Sequence, residues 1–253
     1  MDLHLRGKAA LVTGGSLGLG KAICRALAAE GAAVAVNYRS HAAEAEALAA
    51  ELASTCGVPA MAVAADVADE AQVAAMFETV AKRFGHLDIL VNNAAVCPTC
   101  PAKDLTIRQW NETVAVNLGG TFLCCRAMIR QLVAASRPGR IVNITSVAAF
   151  LGSTTGHAPY DASKGGMVAL TVSLAREVAR QGIAVNAVAP GMMVTDMTAK
   201  TLETNLEKYL ARIPLGRIGD PADVAKVVVF LASDAAAYMT GATVDVSGGM
   251  LMR

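Results

Sequence analysis

A short apolar run, Lys8-Ala9-Ala10-Leu11-Val12-Thr13, leads into Gly14-Gly15-Ser16-Leu17-Gly18-Leu19-Gly20, and an amphipathic pattern from Lys21 to Glu30 follows, stopped at Gly31. The run reads as a buried strand and the pattern as a helix. Glycines between a strand and a helix let the backbone approach a pyrophosphate. The helix N-terminus then turns free N–H groups and its positive dipole end toward the same point. The spacing is G-x-x-x-G-x-G, not the commoner G-x-G-x-x-G. Gly14, Ser16, Leu17, Gly18, Leu19 and Gly20 are therefore expected to hold a dinucleotide.

The same alternation runs on. Strands are expected at Ala33 to Asn37, Ala60 to Ala65, Asp88 to Asn92, Arg140 to Ile144 and Ile183 to Val188. Helices are expected over Ala42 to Ser54, Glu70 to Phe84, Thr106 to Ala135 (interrupted near Gly119-Gly120) and Pro159 to Gln181. Strands alternating with helices imply an α/β fold, a doubly wound Rossmann-type parallel sheet with helices on both faces. No linker, repeat or low-complexity tract divides the chain, so residues 1–253 read as one domain. Ligands in such sheets sit beyond the carboxyl ends of the strands, where Asn92, Ser146 and Pro190-Gly191 fall. After the second strand, where an acidic residue would accept from a ribose 2′-hydroxyl, this chain has Tyr38, Arg39 and Ser40. A guanidinium suits a 2′-phosphate, which favours NADP(H) over NAD(H), although a solvated arginine after a strand reads the same way.

Hydrophobic residues make up 54% of the chain, yet charged and amide residues interrupt every apolar run before the ~18 residues a membrane span needs. The N-terminus lacks a basic-then-apolar leader, so a cytoplasmic protein is expected. A net charge of +1 supplies no field to gather nucleic acid or an anionic membrane. Six scattered cysteines suit reduced thiols better than a disulfide framework. Cys97-Pro98-Thr99-Cys100 has CxxC spacing without a second pair or suitable histidines, so no metal site is expected.

Tyr160 and Lys164 stand four residues apart in a stretch with helical spacing, which puts both on one helix face. An ammonium beside a phenol favours the phenolate and is expected to lower the tyrosine pKa toward neutrality.

With these residues in view, the chain resembles the short-chain dehydrogenase/reductase family over nearly its whole length. The resemblance rests on Thr13-Gly14 through Gly20, Asn92-Asn93-Ala94, Asn117, Ser146, Tyr160 with Lys164, and Pro190-Gly191 followed by Thr195. It implies a catalytic tetrad. Tyr160 would donate a proton to the reduced carbonyl, and Ser146 would hold the carbonyl oxygen. Lys164 would tune the phenol and bind the nicotinamide ribose, and Asn117 would hold a water linking Lys164 to solvent. It also implies that Asp66 and Val67 flank the adenine, that Asn92 and Ala94 support the cofactor, and that Thr195 meets the carboxamide beside Pro190 and Gly191. Two departures stand out: Ala95 where the family usually has glycine, and Leu17 where many NADP-dependent members carry a basic residue.

The C-terminal third resembles 3-oxoacyl-[acyl-carrier-protein] reductases in Thr195-Asp196-Met197-Thr198, Ile213 to Arg217, Tyr238 to Gly241 and Val246 to Met250. That resemblance implies a ketone substrate, free or bound to an acyl carrier protein, a substrate loop at about 192–215, docking of the acidic carrier by Arg130 and Arg176, and a homotetramer. The alternatives are an NAD(P)-dependent dehydrogenase of a sugar or other small secondary alcohol, and a cofactor-binding regulator without turnover. His157, together with Ser146 and Tyr160, is placed in the substrate pocket.

Overall fold

The computed structural model describes residues 3–195 and 198–252, so Asp196 and Met197 of the substrate loop lie outside the described residues. Among the described residues, seven parallel strands form one sheet in the order β3-β2-β1-β4-β5-β6-β7. The strands are β1 (Ala9–Val12), β2 (Ala33–Tyr38), β3 (Ala60–Ala64), β4 (Ile89–Asn92), β5 (Gly139–Ile144), β6 (Ile183–Pro190) and β7 (Thr243–Val246). Helices α1 (Gly18–Ala29), α2 (Ala42–Cys56), α3 (Glu70–Phe84), α4 (Ile107–Val114), α5 (Gly120–Ala134), the short α6 (Ala148–Leu151), α7 (Ala158–Val178), α8 (Ala199–Leu210) and α9 (Pro221–Ala232) link or follow them. Between α4 and α5 the backbone forms a single π-turn, Ala115–Gly119.

Strand side chains alternate between two cores, as a sheet covered on both faces requires. Ala10 and Val12 of β1 pack with Ile23 and Leu27 of α1 and Val228 of α9, whereas Ala9 and Leu11 join Phe77, Met128 and Leu174 on the other face. Local signals start several helices. Asp69 caps α3 by accepting from Ala71 and Gln72, and α4 and α9 each open on a reciprocal capping box, Thr106 with Gln109 and Asp220 with Asp223.

The chain leaves β1 for β2 on one side and reaches β4 on the other, so the strand order reverses between β1 and β4. A crevice opens at such a point. Behind it a buried polar chain ties three elements together. Asn92 Nδ2 donates to Asn143 Oδ1 of β5 (2.9 Å), and Asn143 Nδ2 donates to Thr171 Oγ1 of α7 (2.9 Å). No helix among the described residues is long and apolar enough to cross a membrane.

Candidate active site

A cleft of about 420 Å³ runs along the carboxyl ends of the strands. Its outer half is lined by the glycine turn and the end of β2, and its inner half by Ser146, Tyr160 and Lys164. The turn is shaped for a close-approaching ligand. Gly14 and Gly18 have φ values of +59° and +50°, a region that L side chains rarely adopt. A Cβ on Gly20 would stand 2.2 Å from the Gly14 carbonyl oxygen, so only glycine lets α1 seat against the turn. Leu17, at the N-cap, contributes no side-chain hydrogen bond, which leaves the first N–H groups of α1 for an anion.

Asn37 fixes this turn from β2. Its Oδ1 accepts from Gly14 N (3.2 Å), and its Nδ2 reaches the carbonyls of Val63 and Ala65. At the rim, Tyr38, Arg39, Ser40, Asp66 and Val67 line the cleft. The Arg39 guanidinium is 57% exposed and lies 3.7 Å from Asp66, a loose pair in water that leaves most of its donors free. A cradle of bare backbone, an uncapped helix start and an exposed guanidinium fit a phosphorylated dinucleotide.

Deeper in, Ala94, Pro190, Gly191 and Thr195 line the wall. Asn92 does not. It is buried behind the cleft in the chain to Asn143, so any support it gives passes through β4. Asn93 is the residue that reaches the turn, donating from Nδ2 to the carbonyls of Thr13 (3.0 Å) and Gly14 (2.9 Å). Asn37 and Asn93 were both missed from sequence. Adjacent asparagines at a strand end look alike until the pleat decides which one turns inward.

Three of the four expected catalytic residues, Ser146, Tyr160 and Lys164, line the cleft, and Asn117 does not. Asn117 sits in the π-turn, a distortion often found at functional sites. Its side chain pairs with both backbone groups of Val96, accepting from N (2.8 Å) and donating to O (3.0 Å), and also reaches Ser163 Oγ of α7 (3.1 Å). Ser146 follows β5, its Oγ accepting from Ala148 N (3.1 Å). The end of β5 also grips α7 beside Lys164. Thr145 Oγ1 donates to the Lys164 carbonyl (2.8 Å), and Lys164 Nζ donates to the Ile144 carbonyl (2.7 Å).

The electrostatics differ from the sequence expectation. The Lys164 ammonium lies 5.5 Å from the centroid of the Tyr160 ring, so it meets the π-face while one of its three N–H groups donates to the Ile144 carbonyl. Burial pushes the Tyr160 phenol above its ordinary value, with the nearby Cys97 adding to the rise and the Ser146 hydrogen bond opposing it. Burial likewise lowers Lys164 to about 8. Desolvation outweighs charge here because Lys164 is buried and Tyr160 is half-buried at the inner end of the cleft.

His157 does not line the cleft. Its Nδ1 faces the Pro98 carbonyl (3.1 Å) and Cys97 Sγ (3.6 Å). Arg130 and Arg176 are exposed on α5 and α7. No cluster of metal-binding side chains occurs among the described residues, and the six cysteines are free thiols.

A glycine cradle for a dinucleotide, leading to a Ser-Tyr-Lys set at the inner end of the cleft on a doubly wound sheet, defines a nicotinamide-dependent oxidoreductase. The family model described as enoyl-(acyl carrier protein) reductase matches residues 14–251. The 3-oxoacyl-[acyl-carrier-protein] reductase of Staphylococcus aureus strain Mu50 is 44% identical over 245 residues, covering 97% of this chain and 98% of the relative. That of Synechocystis is 43% identical, with 98% of each covered. The crystal structure of a short-chain type dehydrogenase/reductase from Mycobacterium marinum superposes with a TM-score of 0.95 at 32% identity, covering 100% of this chain and 98% of the other. The chain belongs to the short-chain dehydrogenase/reductase family and is an oxidoreductase of ketone and alcohol groups.

Proposed function

We propose that the chain reduces 3-oxoacyl thioesters carried by an acidic acyl carrier protein, using NADPH. The observation that carries this reading is the pairing of the Ser146 and Tyr160 hydroxyls beside Lys164 at the inner end of the dinucleotide cleft. Two hydroxyls that meet can bracket one oxygen, which suits a carbonyl becoming an alkoxide. The names of the curated relatives point the same way.

The nicotinamide, when bound, supplies hydride to the carbonyl carbon. Tyr160 donates the proton to the oxygen, and Ser146 holds that oxygen in place. Lys164 holds the ribose hydroxyls and sits ready to restore the phenol's proton. Asn117 anchors the Val96 backbone so that the loop after β4 keeps its distance from Tyr160. Ser16, Leu17, Gly18 and Leu19 hold the pyrophosphate, and Arg39 takes the 2′-phosphate. Asp66 and Val67 border the adenine, while Thr195, Pro190 and Gly191 border the nicotinamide. Arg130 and Arg176, exposed and without a carboxylate partner among the described residues, dock the acidic carrier. The outer faces of α5 and α7 expose Phe122, Val133 and Val172, which supports their burial between subunits of a tetramer.

The test is NADPH consumption with a 3-oxoacyl thioester, an enoyl thioester and a panel of sugars and secondary alcohols, each assayed with both nicotinamides. Preferential turnover of the 3-oxoacyl compound is expected, with a lower KM when it is attached to the carrier. Turnover of the enoyl compound alone would overturn the reading.

A further inference from the structure

The segment Val96 to Cys100, between β4 and α4, is fastened at both ends to elements that carry catalytic groups. At one end the Asn117 side chain pairs with both backbone groups of Val96. At the other, Cys100 N donates to the Gly156 carbonyl (2.8 Å), and the Pro98 carbonyl lies 3.1 Å from His157 Nδ1. A carbonyl cannot donate, so Nδ1 carries the hydrogen in this contact. His157 is also the N-cap position of α7, its carbonyl accepting from Asp161 N (2.9 Å). The fit against Gly156 is close: its φ is +86°, and a Cβ there would stand 2.8 Å from the Cys100 carbonyl group. Asp161 secures the far side of the same loop by accepting from Ser153 N (2.7 Å) and from the Ser153 hydroxyl.

We propose that His157 is a positioning residue: its Nδ1–H clasps the Val96–Cys100 strap to the first turn of α7 and so fixes Tyr160 relative to the loop that borders the reacting carbonyl. The proposal rests on the reductase reading for its kinetic consequence. It replaces the substrate contact expected of His157 from sequence with a contact inside the protein. Cys97 shows what the strap does. Buried enough to be pushed up to about 11, its thiol lies within electrostatic reach of both Tyr160 and Lys164. The clasp thus holds the strap beside the phenol.

Asparagine places its amide nitrogen near the position of Nδ1, whereas glutamine places it near Nε2. The experiment uses His157→Ala, His157→Asn and His157→Gln in the full chain. It has two readouts: steady-state kinetics with a 3-oxoacyl thioester, and the rate at which N-ethylmaleimide labels Cys97, followed by peptide mass spectrometry. The alanine variant is expected to lose about tenfold in kcat, as a misplaced catalytic group does, with KM for NADPH unchanged and Cys97 labelled severalfold faster. Asparagine restores both readouts and glutamine neither. Recovery by glutamine and not by asparagine, equal recovery by both, or unchanged labelling in the alanine variant each overturns the proposal. Should the alanine variant not fold, the asparagine–glutamine contrast decides alone. The labelling readout needs no substrate, so it stands apart from failure of the 3-oxoacyl reading.

Discussion

At the scale of single residues, the phenol's environment sets the direction in which the site works best. Burial keeps Tyr160 protonated across the neutral range, so a reduction finds its proton donor ready, whereas the reverse oxidation must first make a phenolate. Oxidation rates are therefore expected to climb with pH where reduction rates stay level, which initial-rate measurements in both directions would show. Tyr160→Phe should lower reductive turnover by about 10²–10⁴-fold while leaving dinucleotide binding, read by fluorescence titration, intact. Arg39→Ala removes a charge-assisted contact worth about 1.5–3 kcal/mol, so KM for NADPH should rise roughly ten- to a hundredfold and KM for NADH should change little. Lys164 gives a pH signature to the ligand-free protein. Its folded pKa is about 8 against an ordinary 10.5, so between those values the unfolded chain binds the extra proton. Lys164 alone thus makes stability rise with pH across that window, by up to about 1.4 kcal/mol per pH unit, against the opposite pull of Tyr160 and the buried thiols, whose values are raised. Lys164→Met should therefore make stability fall more steeply with pH in denaturant titrations.

At the scale of elements, α1 depends on its glycine turn. Gly20→Ala puts a methyl group against the Gly14 carbonyl and the Asn93 amide. The overpacking should destabilise the fold by about 1–3 kcal/mol and abolish dinucleotide binding, seen together in thermal melts with and without NADPH. How far the elements could be read from sequence depended on how local their causes were. The α3 boundaries, Glu70 to Phe84, were legible because Asp69 and Gly85 mark its ends. The break in the 106–135 helix was legible only as a glycine pair. Its true form is a π-turn centred on Asn117, held by contacts to Val96 and Ser163 that no local pattern encodes. The sequence reading did not place α8, α9 or β7. Val227-Val228-Val229 is β-branched and reads as readily as strand, and the capping box at Asp220 together with packing against α1 and β5 makes it helix. The Tyr160–Lys164 pair was legible in spacing but not in electrostatics, because i, i+4 neighbours meet in ways that depend on where the ammonium finds its acceptor.

For the molecule as a whole, the buried line from Asn92 through Asn143 to Thr171 binds the catalytic helix to the middle of the sheet. Thr171→Val strips Asn143 of its acceptor and should lower stability by about 1–3 kcal/mol by denaturant melting, although Thr171 touches no substrate. The proposed tetramer would bury the exposed apolar side chains of α5 and α7. Val172→Glu is expected to shift the sizing-column elution from four chains toward smaller species. The strand order has a consequence for biosynthesis. Because β2 and β3 extend the sheet from one edge of β1, and β4, β5, β6 and β7 extend it from the other in chain order, each strand leaving the ribosome meets a free edge already in place. No finished pair has to be pried apart to admit a latecomer, so the sheet can widen one ribbon at a time while translation continues.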